Sequence, residues 1–292
     1  MKPPPFRYHD PTTAADVVGL LGRFDNAKLL AGGQSLMPML NMRFVLPDDV
    51  IDLNRVAGLT GIAESAGGLD IGAMTRQRDI EFSDLIAARF PLMREAILNV
   101  GHRQTRNRGT LGGSLCHLDP SAELVLVAAA LDATVTVSGK DGERQVAFAD
   151  FPVAYMTPAV ELDELLSRVH FPFWPAGHGY GFAEFARRHG DFAVVSAAAL
   201  ITEDAAGKIG RVSLTLGGVG PAPLRMSEVE TVLTGQVASE DLFREACEAC
   251  RSIDAMGDVH APAEYRQHLA AVLARRALTQ AHHRIGEEGK HG

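Results

Sequence analysis

Short apolar blocks separated by glycine, proline and small polar residues mark the first sixty positions of the chain. Pro3 to Pro5 give a stiff, extended entry. Thr12 or Thr13 is placed to cap a helix over 14–21, with Asp16 in its first turn. The apolar residues of 28–31 predict a buried strand, 36–44 a short helix, and Val50-Ile51-Asp52-Leu53 a second strand. Strand, short helix and strand make a small βαβ unit that ends near residue 55.

The texture changes at Gly61. Residues 61–64 and 69–72 read as a hairpin closed by Gly67-Gly68, and 75–88 and 91–99 as helices. Ser83 is a candidate N-cap, and Pro91 suits a first helical turn. A polar, basic, glycine-rich stretch fills 100–114, ahead of an apolar helix over 122–130. A second hairpin pairs 133–137 with 144–148 around Lys140-Asp141-Gly142, and 165–171 is a strand. Trp174-Pro175-Ala176-Gly177 then reads as a linker. Strands follow at 180–186, 193–202 and 209–217. Ser227 and Ser239 are candidate caps for helices over 228–233 and 240–253, and Pro262 opens a last helix to about His282. The polar tail 286–292 is expected to fray. This division gives three units: 1–55, 56–175 and 176–292. No repeat or low-complexity block interrupts them.

Composition narrows the chemistry. Of 292 residues, 46% are hydrophobic and 22% charged, with a net charge of -8 and no block of Lys or Arg. A nucleic-acid or anionic-membrane surface is therefore not expected. No apolar run reaches membrane-spanning length, and no signal-peptide core follows Met1, so a cytoplasmic location is the expectation. Three cysteines are too few for a disulfide framework. Cys247 and Cys250 form a lone Cys-x-x-Cys within a helical pattern and are expected as buried thiols, not metal ligands. His282-His283 is expected as a solvated helix end. No Walker A sequence, Gly-x-Gly-x-x-Gly, nucleophile elbow or His-Glu-x-x-His is present. Arg187, Arg188 and Asp191 could form a surface ion pair, and Asp119 a turn before Pro120. His102 and His117 flank the second glycine loop without a settled role.

Two glycine-rich loops remain. Ala31-Gly32-Gly33-Gln34-Ser35-Leu36 joins a strand to a helix, where backbone N–H groups and a helix N-terminus suit a phosphate. Thr110-Leu111-Gly112-Gly113-Ser114 repeats the combination of paired glycines and hydroxyl donors. Either loop alone could be a turn in a chain with 29 glycines. Together they could hold an extended phosphorylated ligand at several points through backbone N–H groups, without any lysine.

Ala31 to Leu36 with Pro38 and Arg43, then Arg106-Asn107-Arg108-Gly109-Thr110-Leu111-Gly112-Gly113, then Phe185 to Ala193, carry a resemblance. In order and separation they resemble the FAD-binding medium subunits of molybdenum hydroxylases, from about Pro4 to residue 280. The resemblance implies an α+β, vanillyl-alcohol-oxidase-type flavin fold. FAD would lie between a βαβ lobe and a larger α+β lobe, closed by a C-terminal domain of three antiparallel strands and helices. It implies that Gly32, Gly33, Gln34, Ser35 and Leu36 wrap the diphosphate with Ala31 beside them. Thr110, Gly112, Gly113 and Ser114 would contact the diphosphate and ribityl chain. It further puts Glu123 at a hydrogen-bonding acidic position and Leu166 near the adenine. Tyr180 or Phe182 would lie against the isoalloxazine. Many relatives carry a lysine seven or eight residues before the matched Asp191, where this chain has Ala183 and Glu184.

The function so implied is electron transfer through non-covalent FAD. A large molybdopterin subunit and a small subunit with two 2Fe–2S clusters would be partners in a dimer of heterotrimers. The shortage of cysteine in this chain fits clusters held elsewhere. A stand-alone flavin oxidase, a non-catalytic nucleotide-binding module and an NAD-linked reductase are the alternatives. The implied role for the second loop, backbone approach to the flavin, has valine at Gly112 abolishing FAD binding.

Overall fold

A computed structural model describes residues 1–285; the expected fraying of 286–292 lies outside the described residues. The N-terminal lobe is a three-stranded parallel sheet in which Asp49–Asp52 runs between Arg7–His9 and Ala27–Leu30. The outer strand Arg7–His9 falls where only an extended entry is expected. Its three polar residues carry no apolar signal. A buried carboxylate fixes it instead: Asp49, 1% exposed, accepts from Arg7 at 2.8 and 2.5 Å and lies 2.8 Å from His9 Nε2. Thr13, not Thr12, caps helix Ala14–Leu21 by accepting from the Asp16 N–H at 3.1 Å. The helix after the glycine loop is Leu36–Asn41, shorter than expected, because Arg43 turns the chain left-handed at φ 61°.

The second lobe is a five-stranded antiparallel sheet in the order Ile62–Ser65, Gly68–Gly72, Leu165–Pro172, Thr134–Gly139, Gly142–Ala147. The single helix expected over 75–88 is two, Gln77–Glu81 and Asp84–Arg89. Ser83 starts the second by accepting from the Ile86 N–H at 3.3 Å. Pro91 opens helix Pro91–Ile97. The stretch 100–114, read as loop, contains helix Arg103–Arg108 and the start of helix Leu111–His117. Helix Glu123–Ala130 is buried at every position except Ala129, because it is covered on both sides. It packs into the core of this lobe and also meets the C-terminal sheet, where the Ser213 hydroxyl donates to the Ala130 carbonyl at 2.8 Å.

The C-terminal domain has four antiparallel strands, Gly179–Ala186, Ala193–Glu203, Ile209–Gly217 and Leu224–Arg225, one more than expected. The fourth is a two-residue edge with no apolar run to announce it. Helix Ala263–His283 covers the opposite face of the sheet from Glu123–Ala130, which is why 193–201 is buried throughout. Met226 precedes helix Ser227–Leu233, so Ser227 lies inside the helix and is not its cap. Ser239 caps Glu240–Ala246, which tightens into a 3₁₀ turn, Cys247–Ser252, in place of a continuous helix to 253. Cys247 and Cys250 are buried as expected. His282 departs from expectation: its Nδ1 lies 2.7 Å from Glu203 and its ring packs edge-on against Phe243.

The long helix seats on two glycines of the first C-terminal strand. A Cβ at Gly179 would stand 1.7 Å from the Ala281 carbonyl oxygen, and one at Gly181 would stand 2.1 Å from that of Ala277. Gly181→Ala is therefore expected to destabilise the protein by about 1–3 kcal/mol through forced separation of helix and strand. Urea unfolding should show a lower midpoint at an unchanged slope.

Candidate cofactor cleft

A cleft of about 720 Å³ opens between the two N-terminal lobes, with Gly190, Asp191 and Phe192 of the C-terminal domain at its edge. Ala31, Gly32, Gly33, Gln34, Ser35 and Leu36 line one wall; Thr110, Gly112, Gly113, Ser114, Glu123 and Leu166 also line it. The two glycine loops thus meet in one space.

Their chemistry differs. In the first loop, Gly33 adopts φ 73°, a left-handed turn that favours glycine. None of the backbone N–H groups of residues 32–36 donates a hydrogen bond within the described residues. Five donors are left for ligand or water. In the second loop the backbone donors are spent. Leu111 N–H donates to the Thr75 carbonyl at 3.1 Å, Gly112 to Ala73 at 2.8 Å, Gly113 to Thr110 Oγ1 at 3.1 Å, and Ser114 to the Thr110 carbonyl at 3.1 Å. The second loop therefore supplies no N–H nest, contrary to the sequence-based picture of two equivalent cradles. It supplies a wall and the Ser114 hydroxyl. Gly112 has a packing reason for lacking a side chain, because a Cβ there would lie 2.6 Å from that of Ala73. A valine at Gly112 would therefore disturb the packing of the lobe and is no clean test of ligand approach.

Contact between the loops depends on Gly32. A Cβ on it would lie 2.2 Å from the Arg108 carbonyl oxygen and 2.8 Å from the Gly109 Cα. A polar strap runs beneath. The Arg76 guanidinium donates to the Arg108 carbonyl and to Asn54 Oδ1, and Asn54 Nδ2 donates to the Ala31 carbonyl at 3.1 Å. Neither Arg76 nor Asn54 is singled out by the sequence, since no spacing links residues 22 positions apart. Arg106, deeper in, donates to both oxygens of Glu81 at 2.9 and 3.4 Å and to the Val100 carbonyl at 3.1 Å.

Other wall residues add to this picture. Lys28 is the one Lys or Arg among the lining residues. Gln77, also on the wall, has a buried Oε1 with no hydrogen-bond partner among the described residues. Cys116 lines the cleft half-buried, and desolvation pushes its thiol up to about 12. His117 also lines it, its pKa lowered by burial. Asp119 accepts from the Ser121 N–H at 2.9 Å, the turn expected before Pro120. His102 lies outside the lining and packs against Gly190, where a Cβ would meet its ring at 2.3 Å. Arg187 and Asp191 form an exposed pair at 3.0 Å, of small energetic weight. No group of three or more His, Cys, Asp or Glu among the described residues is arranged to hold a metal ion.

Tyr180 and Phe182 do not line the cleft. Strand alternation sends both toward the core of the second lobe: Phe182 is buried in it, and Tyr180 packs against it beneath the Arg284 guanidinium at 4.6 Å. The aromatic at the cleft edge is Phe192, 68% exposed, inside the motif that already drew attention to Asp191.

Comparison with known proteins agrees with the cleft. The FAD-binding domain of molybdopterin dehydrogenases matches residues 4–174, and the C-terminal domain of CO dehydrogenase flavoproteins matches 180–281. The chain belongs to this family of FAD-binding dehydrogenase subunits, the flavoproteins of molybdenum hydroxylases. It is 39% identical to the 6-hydroxypseudooxynicotine dehydrogenase complex subunit alpha of Paenarthrobacter nicotinovorans, over 97% of each chain. It is 36% identical to the carbon monoxide dehydrogenase medium chain of Afipia carboxidovorans, over 96% of this chain and 98% of that one. A carbon monoxide dehydrogenase structure from Hydrogenophaga pseudoflava superposes with a TM-score of 0.94 at 33% identity, over 98% of this chain and 100% of that one. The α+β fold and the oxidoreductase class implied by the resemblance both hold.

Gly32→Ala should separate the loops and leave each lobe folded. A cost of about 1–3 kcal/mol at the contact corresponds to a loss of FAD affinity of about 5- to 150-fold. Titration by quenching of flavin fluorescence, with circular dichroism as the control for folding, checks this.

Proposed function

We propose that this chain is the electron-transfer flavin subunit of a multisubunit molybdenum hydroxylase. It binds FAD non-covalently and passes electrons from a small iron–sulfur subunit to an external acceptor. The observation that carries the reading is the row of five N–H groups at residues 32–36 without a partner among the described residues, on residues that line a cleft in a chain of the FAD-binding family. An anionic diphosphate supplies the acceptors those groups lack. In this reading Gly32, Gly33, Gln34, Ser35 and Leu36 hold the diphosphate, Lys28 offsets its charge, and Ser114 adds a hydroxyl donor. Thr110 serves by capping the helix, and Leu166 packs near the adenine.

When bound, FAD supplies one- and two-electron chemistry, and the protein supplies shape, exclusion of water and electrostatics. No acid–base or nucleophilic residue of this chain need break bonds, which agrees with the missing catalytic motifs. The medium chain it resembles belongs by name to carbon monoxide dehydrogenase. By analogy the partners are a large molybdopterin subunit and a small subunit with two 2Fe–2S clusters. The proposed assembly is a dimer of heterotrimers in the cytoplasm.

The purified chain is expected to be yellow and to release intact FAD into the supernatant on acid denaturation. Expressed with its two partners, it should co-purify with molybdenum and iron. A colourless protein that FAD cannot reconstitute would contradict the flavin assignment, and a flavoprotein that never associates with iron–sulfur or molybdenum chains would contradict the assembly.

A further inference from the structure

Two carboxyl groups, one in the cleft wall and one on the first C-terminal strand outside its lining, have no ion-pair partner among the described residues. Glu123 opens helix Glu123–Ala130 in the wall and is 7% exposed, and its side chain accepts from its own backbone N–H. Glu184 lies on the same strand face as Tyr180 and Phe182, and its Oε2 is buried without a hydrogen-bond partner among the described residues. The two lie within electrostatic reach of each other. The charged groups facing Glu123 are Glu184 on the C-terminal strand, Asp119 on the preceding turn and Arg106 on helix Arg103–Arg108. Arg106 is committed to Glu81 and the Val100 carbonyl, and Asp119 adds negative charge. Neither Glu123 nor Glu184 forms an ion pair with any described residue.

A buried and a half-buried carboxylate within reach of each other, with no counter-ion among the described residues, cannot both ionise cheaply. We propose that Glu123, in the cleft wall, and Glu184, outside its lining, act as a pair holding one proton, and that this proton favours binding of the anionic FAD beside Glu123. With the proton in place, the wall carries one negative charge fewer and offers an O–H donor. Once it is lost, both carboxylates are charged near a ligand that already bears a diphosphate. The electrostatics agree. Burial, then repulsion by Glu184, pushes Glu123 up to about 8, and burial pushes Glu184 up to about 7. The proton belongs to the pair and not to either residue alone. The sign follows: FAD is held well below about pH 7 and more weakly as pH rises through about 8.

This inference rests on the flavin reading, and two measurements on the full chain separate them. FAD is titrated into flavin-free protein at pH 6.5, 7 and 9. Wild type should bind about tenfold more weakly at pH 9 than at pH 7, from the fraction of the pair still protonated around an apparent pKa of about 8. Glu184→Lys supplies the missing cation, and Glu123→Gln removes one acid; each should flatten that dependence. Infrared spectroscopy of wild type without flavin should show the carbonyl band of a protonated carboxyl at pH 7 that disappears above pH 9. Absence of that band, a pH-independent wild-type affinity, or an unchanged pH dependence in both variants would overturn the pair. A present band with no FAD binding at any pH would leave the pair standing and overturn the flavin reading.

Discussion

The backbone of the first glycine loop lies directly against that of the second, and the cleft follows from this contact. Gly32 occupies a place where any side chain would overlap the Arg108 carbonyl. Its approach holds the parallel three-stranded lobe against the antiparallel five-stranded lobe. The Arg76–Asn54 strap ties the same two backbones from below. The C-terminal domain follows from the arrangement too. It is anchored through the buried helix Glu123–Ala130, whose first residue stands in the cleft wall. A helix shared by two packing layers thus carries the position of the cleft into the third unit.

Within that frame the loops divide the work. The first keeps its N–H groups free, at the cost of five donors that only water or a ligand can satisfy. The second spends its own on the 73–75 segment and on the Thr110 cap, so it is rigid before any ligand arrives. One loop is a receptor for negative charge, and the other fixes where that receptor points. With Lys28 as the one basic lining residue in a chain of net charge -8, backbone dipoles must provide most of the positive potential. A wall carboxyl that keeps its proton is consistent with the same economy of positive charge.

Much of this was legible in the residues. Glycine pairs beside small hydroxyl or amide donors marked both loops, and period-two and helical patterns placed most elements within a few residues. What escaped notice depended on partners far away in sequence. The strand Arg7–His9 has no apolar pattern and exists through the buried Asp49. Arg76 and Asn54 matter only once the lobes are together. The spending of the Leu111 and Gly112 N–H groups is a tertiary fact, because their acceptors at Thr75 and Ala73 lie more than thirty positions away. Tyr180 and Phe182 were plausible flavin neighbours by position, but strand alternation turned them into the core and left Phe192 at the cleft edge. Glu184 stands out in the sequence only as a departure from the lysine of many relatives, since only the fold brings it within reach of Glu123.

The central claim is that a single FAD bridges the two loops, with its diphosphate on the first. The most direct measurement is a crystal structure of the chain with FAD. The account predicts diphosphate oxygens within hydrogen-bonding distance of the backbone N–H groups of residues 32–36 and of the Ser114 hydroxyl, with the N–H groups of residues 111–114 still bonded to Thr75, Ala73 and Thr110. A diphosphate held by the N–H groups of the second loop, or FAD bound away from Gly32 and Gly33, would contradict it.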